Sequence, residues 1–125
     1  MAQIKAIAQQ GGLVGILALP ERVAKNNAGL EDLLKQMDYM INLVGVEHLA
    51  LGMDFVKYDG PRTLKDRHHP LHKLALVKDF EEIEDLPKLI DGLQRHGYKE
   101  EEIALILGGN YLRALKTILP EQSVI

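Results

Sequence analysis

Two short apolar runs on either side of one amphipathic helix constrain this chain more than any other feature. Leu13-Val14-Gly15-Ile16-Leu17-Ala18-Leu19, closed by Pro20, is apolar on both alternating faces, and His48 to Phe55 has the same character. A strand covered on both sides reads this way, as strands of parallel sheets are. Between the runs lie 28 residues, 20–47, enough for the crossover that parallel pairing needs. Leu30, Leu33, Leu34, Met37, Ile41 and Val44 form one stripe at helical spacing. Glu31 and Asp32 sit in the first turn, where carboxylates favour the positive end of the helix dipole, and Gly45 ends the helix. The spacing therefore predicts a parallel β-α-β unit.

The flanks read as helices and loops. Ile4, Ile7 and Ala8 predict a helix over residues 2–9, stopped by Gly11-Gly12. Residues 21–29 are polar and end in the loop signal Asn26-Asn27-Ala28-Gly29. Residues 56–82 have no clear period and contain Pro61 and Pro70, so a long loop is expected, with a short helix near Leu71 to Val77. Pro87 fits a first helical turn, Leu89, Ile90 and Leu93 form its stripe, and Gly97 caps it. Glu100 to Leu107 and Tyr111 to Leu119 predict two more helices. Gly108-Gly109-Asn110 breaks them apart, with Asn110 as the N-cap.

Composition excludes several functions. The 18 acidic residues against 15 basic ones give a net charge of -3, so there is no electrostatic case for nucleic acid. The absence of cysteine removes disulfides, thiolate metal sites and a cysteine nucleophile. The longest apolar run, Leu13 to Leu19, falls far short of the roughly 20 residues a membrane span needs. No apolar signal core follows the N-terminal residues. The expectation is a soluble, cytoplasmic chain without a membrane partner, and 125 residues are a fair size for one domain.

Asp54 is the leading candidate for chemistry. It ends the second apolar run, and the C-terminal mouth of a parallel strand is where α/β folds bind ligands. A carboxylate there can bind a metal or handle a proton, while the plainer alternatives are a strand-end cap or a surface salt bridge. His68, His69 and His72 could supply imidazole ligands. They do not form a His-Glu-x-x-His helix, because His69 and Pro70 occupy its second and third positions, and a polar loop explains them equally. The sole serine is Ser123, so no serine-based triad can be assembled.

Several stretches together resemble one family. Ile7-Ala8-Gln9-Gln10-Gly11-Gly12-Leu13-Val14-Gly15-Ile16 resembles the helix and seventh strand of the membrane (renal) dipeptidase family. Asp38-Tyr39-Met40-Ile41-Asn42-Leu43-Val44-Gly45-Val46-Glu47-His48-Leu49-Ala50-Leu51-Gly52-Met53-Asp54-Phe55 is similar to its D-Y-I-x-x-L-V-G-x-D-H-V-x-[LI]-G-[ST]-D-F stretch. Leu93 to Ile103 is similar to its L-x-x-R-G-Y-[ST]-E-E-D-I segment, and Leu107 to Leu115 to its L-G-G-N-F-L-R-V-F ending. The order is the family's, and the motifs cover nearly the whole chain. One departure is Val56, where the family has glycine after Asp-Phe.

The resemblance implies an amidohydrolase-superfamily (β/α)8 barrel that hydrolyses dipeptides with a water activated between two zinc ions. It implies that Asp54 matches the aspartate closing the eighth strand, which carries the proton from that water to the leaving amine. The family's metal ligands, a His-x-Asp, a glutamate and two histidines on earlier strands, have no counterpart in the matched region. His48 falls at the far end of the eighth strand and should not replace them.

The resulting expectation is an α/β chain, a partial (β/α)8 (TIM-type) barrel. It would comprise the last two parallel strands with four or five helices, and residues 1–125 would form one C-terminal unit. A complete barrel takes about 250 residues. The parent function is zinc-dependent dipeptide hydrolysis with Asp54 catalytic. This chain alone is expected to hold no metal and to be inactive. The rival expectation is a non-catalytic module that forms a homo-oligomer or complements an N-terminal part, because two strands leave open edges and uncovered apolar faces. A third is a small metal-binding protein using His68, His69 and His72.

Overall fold

A computed structural model describes residues 1–24, 27–55 and 77–120. Helix α1 (Ala2–Gln9) is stopped by paired bonds from the Gly11 and Gly12 amides back to Ala8 and Ile7, a Schellman closure. Strand β1 (Val14–Ile16) follows, then a short helix α2 (Pro20–Val23) and the long helix α3 (Leu30–Val44). A 3-10 turn, Val46–His48, leads into strand β2 (Leu49–Leu51). The strands pair in parallel, Val14 opposite Leu49 and Ile16 opposite Leu51. The expected crossover unit is present.

Pairing extends past the strands themselves. The Gly52 amide donates to Ile16 at 2.9 Å and the Ala18 amide to Met53 at 3.2 Å. Ladder bonds therefore cover most of both apolar runs. Among the described residues the sheet has these two strands only. Helix α2 was expected to be loop. Pro20, whose fixed φ suits a first helical position, starts it.

Helix α3 buries Leu33, Leu34, Met37 and Met40, and Gly45 at φ +99° turns the chain toward β2. Beyond the residues not described, Val77 and Phe80 are buried and tie the chain to the start of α3. The Lys78 amide donates to Ala28, and the Leu30 amide donates to Lys78. After a 3-10 turn at Ile83–Asp85 comes helix α4 (Leu86–Arg95), with Pro87 in its first turn as expected. Helix α4 crosses α3 closely because Gly92 faces Leu34. A Cβ at Gly92 would lie 2.5 Å from Leu34 Cδ1.

Helices α5 (Glu100–Ala104) and α6 (Asn110–Ile118) complete the chain. The expected break between them is a π turn, Leu105–Gly109, kinked at Gly108. Asn110 is therefore not an N-cap, and its side chain is used elsewhere. With α2 present, six α-helices are described where four or five were expected. The expected helix near Leu71 to Val77 lies outside the described residues, except that Val77 makes an isolated bridge.

The core joins both strands to three helices. Leu33, Leu34, Met37, Leu49, Phe80, Leu89, Leu93 and Ile106 are almost wholly buried, each contributing about 1.5–3 kcal/mol by removal from water. The outer face of α6 is different. Tyr111, Leu112, Leu115 and Ile118 are exposed, Ile118 to 74%. Among the described residues no helix is long and apolar enough to cross a membrane.

Candidate functional site at the end of β2

The sheet register fixes where Asp54 stands. Met53 is buried and its carbonyl is held by the Ala18 amide, so the chain is paired up to the residue before Asp54. At Asp54 the backbone turns left-handed, φ +57°. Aspartate tolerates that region better than most residues, because its short side chain can satisfy local backbone groups. Phe55 then turns back onto the core and meets Phe80 edge-to-face, with ring centroids 5.0 Å apart. Phe80 is held in turn through Lys78, which bonds the backbone before and at the start of α3.

Asp54 thus lies exposed at the C-terminal end of β2, between a paired Met53 and an anchored Phe55. Among the described residues its carboxylate makes no hydrogen bond or ion pair. A positioned, solvent-facing carboxylate can accept and return a proton. No group of three His, Asp or Glu side chains among the described residues converges to hold a metal ion. His68, His69 and His72 lie outside the described residues.

His48 sits at the opposite end of β2. Its Nδ1 lies 2.9 Å from the Gly12 carbonyl, to which it donates, linking the entries of the two strands. This is a structural contact, in keeping with its expected place away from the mouth.

Two polar clusters were not singled out from the sequence. In the first, buried Asn110 donates from Nδ2 to the carbonyls of Val46 and Leu49, both at 2.8 Å. Arg113 donates to Asn110 Oδ1 at 3.2 Å and to the Glu47 carbonyl at 2.8 Å. The available signal was the three-residue spacing of an amide and a guanidinium on one helix face. In the second, His96 just after α4 lies between Asp38 and Glu31 of α3, and Tyr98 donates to Asp38 Oδ1 at 2.6 Å. Burial, and then the Asp38 carboxylate, push the Tyr98 hydroxyl well above its ordinary value. The seven-residue spacing of Glu31 and Asp38 marks one face of α3 but does not name a partner.

Comparison with known proteins adds a lineage. The sequence model of membrane dipeptidases, peptidase family M19, matches residues 2–120. An uncharacterized protein in the pqqA 5′ region of Klebsiella pneumoniae is 29% identical over 121 residues, which is 93% of this chain and 39% of that protein. The dipeptidase aclJ of Aspergillus oryzae is 30% identical over 115 residues, 90% of this chain and 24% of its own length. An amidohydrolase from Pseudomonas aeruginosa superposes with a TM-score of 0.78 at 22% identity, over 92% of this chain and 38% of that one. A metallopeptidase from Rhodobacter sphaeroides, bound to a phosphinate mimic of the dipeptide L-Ala-D-Ala, superposes at 0.72 with 20% identity, over 92% and 30%. The chain has the fold of the part of the two solved structures on which it superposes, and it spans between about a quarter and two fifths of the lengths of these four proteins.

Proposed function

This chain belongs to the membrane dipeptidase family, peptidase family M19, and from that premise we propose that it supplies the C-terminal portion of a dipeptide-hydrolysing (β/α)8 barrel. Residues 1–125 act as one unit in this reading, with β1 and β2 as the last two strands. Asp54 is its catalytic residue. Its carboxylate takes a proton from the attacking water and returns it to the leaving amine, so the amine departs neutral.

The observation that carries this reading is the placement of Asp54, exposed and held in a left-handed conformation at the C-terminal end of a parallel strand. Catalytic groups of such barrels come from those strand ends. The family's metallopeptidase character implies metal ions, zinc in this proposal. No group of three His, Asp or Glu side chains among the described residues could hold a metal ion, and the reading places the metal ligands on the earlier strands of the barrel, so that this chain alone turns over no dipeptide.

A second reading is an association module, forming a homo-oligomer or complementing an N-terminal part. It is supported by the exposed apolar residues of α6 and by the two-stranded sheet. One experiment separates the two. Residues 2–120 replace the corresponding part of a full-length family dipeptidase, and dipeptide hydrolysis is measured. We expect an active chimera whose kcat falls about 100-fold or more with Asp54→Asn, the range of general acid–base catalysis. An active chimera indifferent to Asp54→Asn sinks the catalytic assignment. Inactive chimeras from a chain that self-associates favour the module.

A further inference from the structure

The geometry around His96 points to a second property, independent of the strand end. We propose that His96 is a protonation-dependent clasp between α3 and α4, closed as an imidazolium and open as a neutral ring. Its Nδ1 lies 2.6 Å from Asp38 Oδ2 and its Nε2 lies 2.8 Å from Glu31 Oε1. Ionised carboxylates only accept hydrogen bonds, and a neutral imidazole carries one N–H. Both contacts can therefore be hydrogen bonds only when both ring nitrogens are protonated. In the neutral ring one nitrogen would turn a lone pair toward a carboxylate oxygen at hydrogen-bond distance.

The charged neighbours agree with that state. Glu31 and Asp38 face the ring from α3, and Lys35, in the turn between them, is exposed. From α4, Arg95 reaches Glu31 at 3.7 Å. From the connection to α5, Tyr98 donates to Asp38 and is neutral over the whole range in question, with Glu102 of α5 adding negative charge near it. The His96 side chain is only 15% exposed. Burial opposes its charge, but the bonds to Asp38 and Glu31 outweigh burial and raise its pKa above the ordinary 6.5.

The two arms of the clasp are unequal. Asp38 is 32% exposed and has a second bond from Tyr98, whereas Glu31 is 52% exposed. As the ring loses its proton, Nδ1–H stays on Asp38 and Glu31 loses its bond to the ring, leaving the first turn of α3 tied to α4 at this point by the longer Arg95–Glu31 contact.

The sign follows from linkage. A pKa raised by folding contributes stability that is complete below the unfolded value of 6.5 and is lost as pH rises through the folded value. The test measures urea midpoints of the full chain from about pH 6 to about pH 9, the span of histidine titration, with ring-nitrogen NMR of His96 alongside. The wild type is expected to lose midpoint across that range, and His96→Gln to lack that loss. NMR is expected to show both nitrogens protonated below the midpoint of titration. If His96→Gln does not fold, Glu31→Gln, at an exposed position, is expected to bring the His96 titration down toward 6.5. A His96 that titrates at or below 6.5 in the wild type overturns the clasp. So does an unchanged titration in Glu31→Gln, or an equal pH slope in wild type and His96→Gln.

Discussion

The two ends of β2 are built on opposite plans. At its N-terminal end the carbonyls of Val46, Glu47 and Leu49 are each taken by a side chain of α6, and His48 donates to Gly12 of the neighbouring connection. At its C-terminal end the chain leaves the ladder at Met53, adopts a left-handed residue and presents a carboxylate to solvent. One end spends polar groups on closing the structure, and the other leaves one without a partner among the described residues. Barrel enzymes divide stability and chemistry between the same two ends. The division gives each end a distinct mutational signature.

The largest effect is expected at the closed end. Asn110→Ala removes both donors from the Val46 and Leu49 carbonyls and leaves a buried void against them. A loss of about 3 kcal/mol is expected, since each buried polar group left unpaired costs about 1–3 kcal/mol. Urea unfolding at fixed pH measures it. A cost under about 1 kcal/mol, the worth of one ordinary hydrogen bond, would mean that this end is not anchored, and the contrast would fail.

Arg113→Ala should cost less, about 1 kcal/mol, because the guanidinium is exposed and its bond to Glu47 is replaceable by water. Arg113 also orients the Asn110 amide by donating to its Oδ1. The double variant should therefore lose less than the two single losses combined, by at least about 0.5 kcal/mol. Strict additivity would make the two side chains independent anchors.

The sequence made the closed end's scaffold legible, and not its closure. Periodicity placed β1, α3 and β2, because burial on fixed faces writes itself into spacing. The Gly11, Gly45 and Gly97 stops came from their backbone needs. Asn110 was misread because an asparagine after two glycines satisfies the local signature of a cap. Its actual partners are more than 60 residues away in sequence, and no local rule names them. His96, Asp38 and Glu31 were hidden for the same reason. Each is an ordinary polar residue, two on α3 and one just past the end of α4, and only the α3–α4 crossing at Gly92 brings them together. Asp54 was legible because an acid ending an apolar strand breaks its own pattern. Its left-handed backbone was not, since aspartate gives no stronger hint of it than any turn residue does.

That backbone leads to the smallest expected effect and the sharpest use of the contrast. A non-glycine residue at φ +57° bears strain of about 1–2 kcal/mol, less for aspartate and asparagine. Asp54→Gly removes the strain but adds about 0.5–1 kcal/mol of unfolded-chain freedom. The two nearly cancel, and Asp54→Asn changes neither. Both variants are therefore expected to lie within about 0.5 kcal/mol of the wild type, as substitutions away from buried networks usually do. Asp54→Val, with a branched Cβ in the left-handed region, should instead be clearly destabilised. If Asp54→Asn unfolded the chain as readily as Asn110→Ala, Asp54 would be a structural residue and the open end would not be open. If it leaves stability alone, any loss of turnover it causes in an active chimera belongs to the carboxylate itself.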